Sequence, residues 1–198
     1  MKLTISKGNM KLGNIPNLSL PPIKTCANGI QCAKKCYAMK AYRQYLNVRK
    51  AWDGNLALWY AFPWDFQTQL HIFLEKKRPR YFRYHVGGDI PSRDYGIMIW
   101  NTAGAFPKTQ FLVYTKRPSQ IDWDRPFPKN LHVLVSRWPG DQLTHCVSSK
   151  LHAQAWVLDP NNPDSRIPKR AFECPGSCQT CKFCYHAKPG QNVVFKIH

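Results

Sequence analysis

The chain has 198 residues, a formal net charge of +18, 43% hydrophobic and 13% aromatic residues. That apolar content argues against a disordered chain, and there is no apolar run of the ~18 residues a membrane-spanning helix needs. The opening MKLTISKGNMKLGNIPNLSLPP lacks the continuous apolar stretch of a secretory signal, so a cytoplasmic location and no membrane partner are expected.

In a reducing cytoplasm, the eight cysteines point to metal or catalysis rather than to disulfides. The first element, CANGIQCAKKCYAMKAYR over residues 26–43, holds Cys26, Cys32 and Cys36 among lysines and arginines. Three thiolates that leave one metal position open suit catalysis. A fourth ligand from His85, His132 or Cys146 would instead close a structural zinc site. Residues 1–52 carry ten Lys/Arg and no acid, residues 165–198 carry six against Glu173, and the stretch between carries thirteen against ten. Positive charge therefore travels with the cysteines and predicts a nucleic-acid partner, DNA before RNA. Candidate phosphate contacts are Lys34, Lys35, Arg43, Arg49 and Lys50, with Arg117 and Arg137 at later strand ends.

Apolar residues spaced by three and four predict helix over AYRQYLNVRKAWDGNLALWYAF and, after a proline break, over PWDFQTQLHIFLEKK. Four short apolar runs follow, at 81–89, 109–118, 131–140 and 153–160, and the first gap holds the helical stretch DYGIMIWNTAGAF. Strands joined by such connections predict an α/β fold with a partial parallel (β/α) barrel, metal-binding cysteine clusters standing near both termini. Residues 1–160 form the barrel-like domain and residues 161–198 a cysteine-rich extension packed on it. Chemistry in parallel folds sits at the carboxyl ends of strands, which here end in Gly87-Gly88-Asp89, Thr115-Lys116-Arg117, Ser136-Arg137-Trp138 and Asp159. Asp89, Lys116 and Asp159 are the candidate catalytic residues. The closing CPGSCQTCKFCYH has the compact spacing of a four-thiolate site, Cys174, Cys178, Cys181 and Cys184, for zinc or a second iron–sulfur cluster. His186 and His198 are possible substitutes for one cysteine. Cys146, beside His145, reads as a small core residue.

A three-cysteine loop ending Cys-Tyr-Ala, strand ends Gly-Gly-Asp-Ile-Pro and Tyr-Thr-Lys-Arg-Pro, and the closing CQTCKFC together resemble the uncharacterised phage gene-product families described as radical S-adenosylmethionine-like. The resemblance spans about residues 14–198. It implies that Cys26, Cys32 and Cys36 hold a [4Fe-4S] cluster, with Tyr37 beside it. Gly87, Gly88 and Asp89 would then meet the amino group of S-adenosylmethionine. The loop departs from the usual spacing, with five and three residues between cysteines instead of three and two, and Asp89 replaces a glutamate. The expected function is a nucleic-acid-modifying metalloenzyme of phage type. Two alternatives are a zinc-containing DNA base-exchange transglycosylase, working on guanine or 7-deazaguanine through Asp89 or Asp159, and a non-catalytic zinc-stapled nucleic-acid binder.

Overall fold

The structure, a computed structural model, describes residues 1–26, 31–139, 153–159, 161 and 167–196. Its strands are β1 (Asn17–Leu18), β2 (Tyr81–Tyr84), β3 (Gln110–Thr115), β4 (Leu131–Arg137), β5 (Ala153–Leu158), β6 (Phe172–Glu173) and β7 (Asn192–Lys196). They form one seven-stranded sheet in the order β1-β2-β3-β4-β5-β7-β6, and every pairing is parallel. Helices α1 (Tyr37–Gln44), α2 (Leu46–Ala61) and α3 (Pro63–Lys77) precede β2, α4 (Arg93–Ala105) joins β2 to β3, and the single turn α5 (Cys178–Cys181) lies between β6 and β7.

The four runs expected as strands all appear, each trimmed where its polar end leaves the sheet. Two corrections concern elements the periodicity did not reveal. The long helix after Cys36 is two helices broken at Tyr45, an extended residue. The sheet also gains β1, β6 and β7. A two-residue strand offers no period to read, and Asn192–Lys196 looks like a tail until β5 is beside it. The pairings establish a parallel α/β sheet with β1 and β6 at its ends, and among the described residues no bridge joins those ends. Among the described residues no helix is long and apolar enough to cross a membrane.

Alternation along the strands divides the core between two faces. Phe82 and Tyr84 of β2, Phe111 and Val113 of β3, and Leu131 and Val133 of β4 face the helices, where they meet Leu58, Trp59, Phe66, Leu70, Leu74, Tyr95 and Ile99. Trp59 stands edge-on to Tyr95 at 4.8 Å between ring centres and to Phe66 at 5.5 Å. Tyr81, Leu112 and Leu134 point to the other face, which is covered by Leu12 and Ile15 and by Tyr185 with Cys174, Cys178, Phe183 and Cys184. Each large side chain so buried contributes roughly 1.5–3 kcal/mol.

Helix ends follow local chemistry. Pro63 forces Phe62 out of helical geometry and opens α3, and left-handed Arg78, followed by Pro79, ends it. Ser92 caps α4 by accepting a hydrogen bond from the Tyr95 amide. Buried Asn130 donates its amide to the carbonyls of Ala103, Phe106 and Thr109, so one side chain fastens the end of α4 to the start of β3. Buried Asn55 of α2 likewise exchanges hydrogen bonds with both backbone groups of Thr4 and donates to the Ser19 carbonyl, holding the N-terminal segment against the helix.

Candidate functional site

The segment after β1 runs beneath the loop after β2, and the two are laced together. The Ser19 hydroxyl accepts from the amides of Val86 and Gly87, and the Leu20 amide donates to the Gly87 carbonyl. Thr25 accepts from the Asp89 amide and donates to the Pro21 carbonyl. Cys26 comes next. At the far end of the cysteine loop, the hydroxyl of Tyr37 donates to the Val86 carbonyl at 2.7 Å. Both ends of the loop are thus fastened to residues 86–89, and its three cysteines are held at the carboxyl end of the sheet.

All seven described cysteines are outside disulfides and partly accessible. Burial pushes the Cys26 thiol up to about 12, against a hydrogen bond from the Ile23 backbone, and Asp89, Cys32 and Cys36 add to the rise. That influence places the three thiols and the Asp89 carboxylate within one electrostatic neighbourhood. Among the described residues, no three cysteine, histidine or carboxylate side chains are gathered at metal-ligand spacing.

Asp89 is buried, and its carboxylate is well used. Oδ1 accepts from the Thr115 hydroxyl and the Ile90 amide, and Oδ2 from the Lys116 amide, all at 2.7 Å. Burial raises its pKa, opposed by those three bonds. Three of roughly four acceptor positions are filled, and the residue ties the ends of β2 and β3 together. Gly87 and Gly88 have packing reasons as well. A Cβ on Gly87 would stand 2.4 Å from the ring of Trp52, and one on Gly88, at φ +80°, 2.6 Å from the Leu20 carbonyl. The protein's own atoms occupy the close approach that these glycines permit.

The remaining candidates spread around the same rim. Asp159, after β5, forms a 2.9 Å ion pair with Lys35 of the cysteine loop, 124 residues away in sequence, and Lys35 holds its carboxyl below the ordinary range. Lys116 lies over the ring of Trp138. Arg117 is turned inward, one terminal nitrogen donating to the carbonyls of Thr25, Ile90 and Pro91, and Arg137 is buried at the end of β4. Arg43, Arg49 and Lys50 are exposed on α1 and α2. An open cavity of about 540 Å³ beside Cys36 is lined by Met39, Lys40 and Arg43, among others. The side chain of Lys34, and Cys146 and His198 as wholes, lie outside the described residues.

The tail cysteines form a second neighbourhood on the sheet face away from the helices. The Cys178 amide donates to the Lys11 carbonyl and the Cys174 amide to the Val194 carbonyl, so the N-terminal segment and β7 both hold the cysteine turn. Cys174, Cys178 and Cys184 pack with Tyr81, Tyr114 and Tyr185. Burial pushes the Cys184 thiol up to about 11, against a hydrogen bond with Tyr114. Sequence reading missed the residue at the centre of this cluster. Arg83 of β2 is 9% exposed, its guanidinium carbon is 4.6 Å from the centre of the Tyr114 ring, and its Nε has no hydrogen-bond partner. A charge in the middle of the apolar run YFRYHV was the available signal. A second missed feature is a groove of about 630 Å³ between α2, α3 and α4, edged by Tyr60, Trp64 and Asp94.

Fold and site together define a parallel α/β protein that gathers thiols at a strand-end rim and on one sheet face. The family model described as Gene product 88 matches residues 2–187, and the chain belongs to that family. This bears out the resemblance to a phage gene-product family. No curated protein and no solved structure matches the chain.

Proposed function

We propose that the protein is a nucleic-acid-modifying metalloenzyme whose centre is an iron–sulfur cluster held by Cys26, Cys32 and Cys36, with chemistry of the radical S-adenosylmethionine type. The observation that supports this reading is the electrostatic neighbourhood that Cys26 shares with Cys32, Cys36 and the buried Asp89 carboxylate at the carboxyl end of a parallel sheet, a neighbourhood in which no three of these groups yet stand at metal-ligand spacing. Ionising these thiols beside the carboxylate is unfavourable in a poorly solvated place, and a metal cation is the partner that would relieve this. The donor set suits iron, since three cysteines leave one position for an exogenous ligand. When bound, such a cluster supplies one-electron chemistry to S-adenosylmethionine.

The protein's own groups have definable tasks. Thr25 and Tyr37 hold the two ends of the loop, and Lys35 pins it to Asp159. Asp89 keeps one acceptor position for a cationic donor such as the cofactor amine. Lys40 and Arg43, lining the cavity beside Cys36, give a phosphate backbone a place to rest near the thiols. The sheet would serve as a partial barrel with this rim as its mouth.

One observation favours a second reading, base exchange at a zinc-bearing protein. The Lys35 ion pair keeps Asp159 ionised, the state a carboxylate nucleophile needs. Anaerobically purified protein separates the two. The first reading expects a brown solution whose violet absorption and iron content disappear in the Cys26→Ala/Cys32→Ala/Cys36→Ala variant. A colourless protein with stoichiometric zinc at both cysteine sets, exchanging labelled guanine into DNA without a reductant, establishes the second reading and removes the first.

A further inference from the structure

Arg83 raises a problem of charge. Moving a guanidinium out of water is costly, and one cation–π contact returns only part of that cost. Among the described residues no carboxylate pairs with Arg83, and its Nε–H is left without an acceptor. The hydroxyl of Tyr185, also buried, is a second donor without a partner. Tyr114, Tyr37, Cys178 and Tyr185 all act electrostatically on Arg83, and Tyr114 is in hydrogen-bond contact with Cys184. Lys11 acts on Cys178 as well. Cations and unused donors have thus collected around sulfur, and among the described residues no acid pairs with them. Neutral thiols are poor acceptors and do not offset a buried cation. Four thiolates on a divalent metal, or on an oxidised iron–sulfur cluster, carry two excess negative charges and accept hydrogen bonds at sulfur.

We propose that Cys174, Cys178, Cys181 and Cys184, which do not stand at metal-ligand spacing in this structure, are drawn around a metal as a tetrathiolate dianion, and that Arg83 is its buried counter-cation, seconded by Lys11 and by hydroxyl donors from Tyr114 and Tyr185. Arg83 is a positioning residue: it touches no substrate and acts through the sulfurs. The inference rests on the tail binding metal and is independent of what the N-terminal cysteines hold.

The test uses the Cys26→Ala/Cys32→Ala/Cys36→Ala protein, so that the tail is read alone, loaded with cobalt(II) and titrated with a chelator. A tetrathiolate gives intense sulfur-to-cobalt absorption with tetrahedral d–d bands. Without that spectrum the tail binds no metal as a tetrathiolate, and the underlying reading fails. If it is present, Arg83→Met is expected to weaken cobalt retention at least tenfold, and Arg83→Lys, which keeps the charge, to stay within about threefold of the parent. Melting of the metal-free proteins supplies the second readout. Arg83→Met removes an uncompensated charge there, so it is expected to melt no lower than its parent. Equal cobalt retention in Arg83→Met and parent overturns the role of Arg83. An equal loss of melting temperature with and without metal does so too, since it marks Arg83 as packing against Tyr114.

Discussion

His85 follows β2 and stacks against Tyr95, with Nε2 3.1 Å from the Tyr95 hydroxyl and Nδ1 without a partner. Burial, with a smaller contribution from Arg83, depresses its pKa to about 3. The unfolded chain therefore binds the extra proton at a higher pH than the folded one. Stability is complete above the unfolded value near 6.5 and falls as pH drops from there towards 3, by an amount on the order of 4 kcal/mol. Melting temperatures measured between pH 7 and 4 are expected to fall less steeply in His85→Phe than in the parent, and parallel slopes would remove His85 from the account. Single residues were the level at which sequence informed least. Asp89, Gly87 and Gly88 stood out in the sequence as cofactor contacts, but the packing against Trp52 and Leu20 that accounts for the glycines involves residues distant in sequence. Arg117 looked like a phosphate contact because nothing in Thr-Lys-Arg-Pro reveals three carbonyls waiting for its guanidinium.

Among elements, long periodic segments were legible and short ones were not. The α3 and α4 patterns, and the apolar runs of β2 to β5, sit where periodicity and proline placed them. The break at Tyr45 has no proline or glycine to announce it, and β7 is a strand because β5 offers it an edge. The tail is the element whose stability the proposed metal would change most. Its buried apolar anchors are few, chiefly Tyr185, Val193 and Val194, while half-buried Phe183 stacks on exposed Phe172 with ring centres 4.2 Å apart. Structural metal adds folding free energy where a core is small. Cys181→Ser/Cys184→Ser is therefore expected to lower the melting temperature of metal-loaded protein by several degrees, and to bring tail amide exchange close to that of the chelated parent. An unchanged melting temperature would show that the tail docks without metal.

Across the whole molecule, charge was the most readable property and its use the least. The excess of lysine and arginine in residues 1–52 survives as exposed Arg43, Arg49 and Lys50 on α1 and α2, whereas Lys35 is paired with an acid and Arg137 is buried. Binding to duplex DNA is expected to weaken as salt rises. Each phosphate contact contributes about 0.9 to the slope of log affinity against log salt, so Arg43→Glu/Arg49→Glu/Lys50→Glu should flatten that slope by about 2–3. A slope equal to that of the parent would move the nucleic-acid face elsewhere.

The double fastening of the cysteine loop, through Thr25 at one end and Tyr37 at the other, has a kinetic meaning. Closing a short chain whose ends are already fixed costs little further entropy, so bringing the three sulfurs together on a ligand would cost less than it would in a free segment. A metal lost from such a loop leaves behind a tethered site instead of a released segment. If the proposed centre forms there, recapture would compete with escape, and the site would survive repeated loss and reloading while the rest of the sheet stays folded.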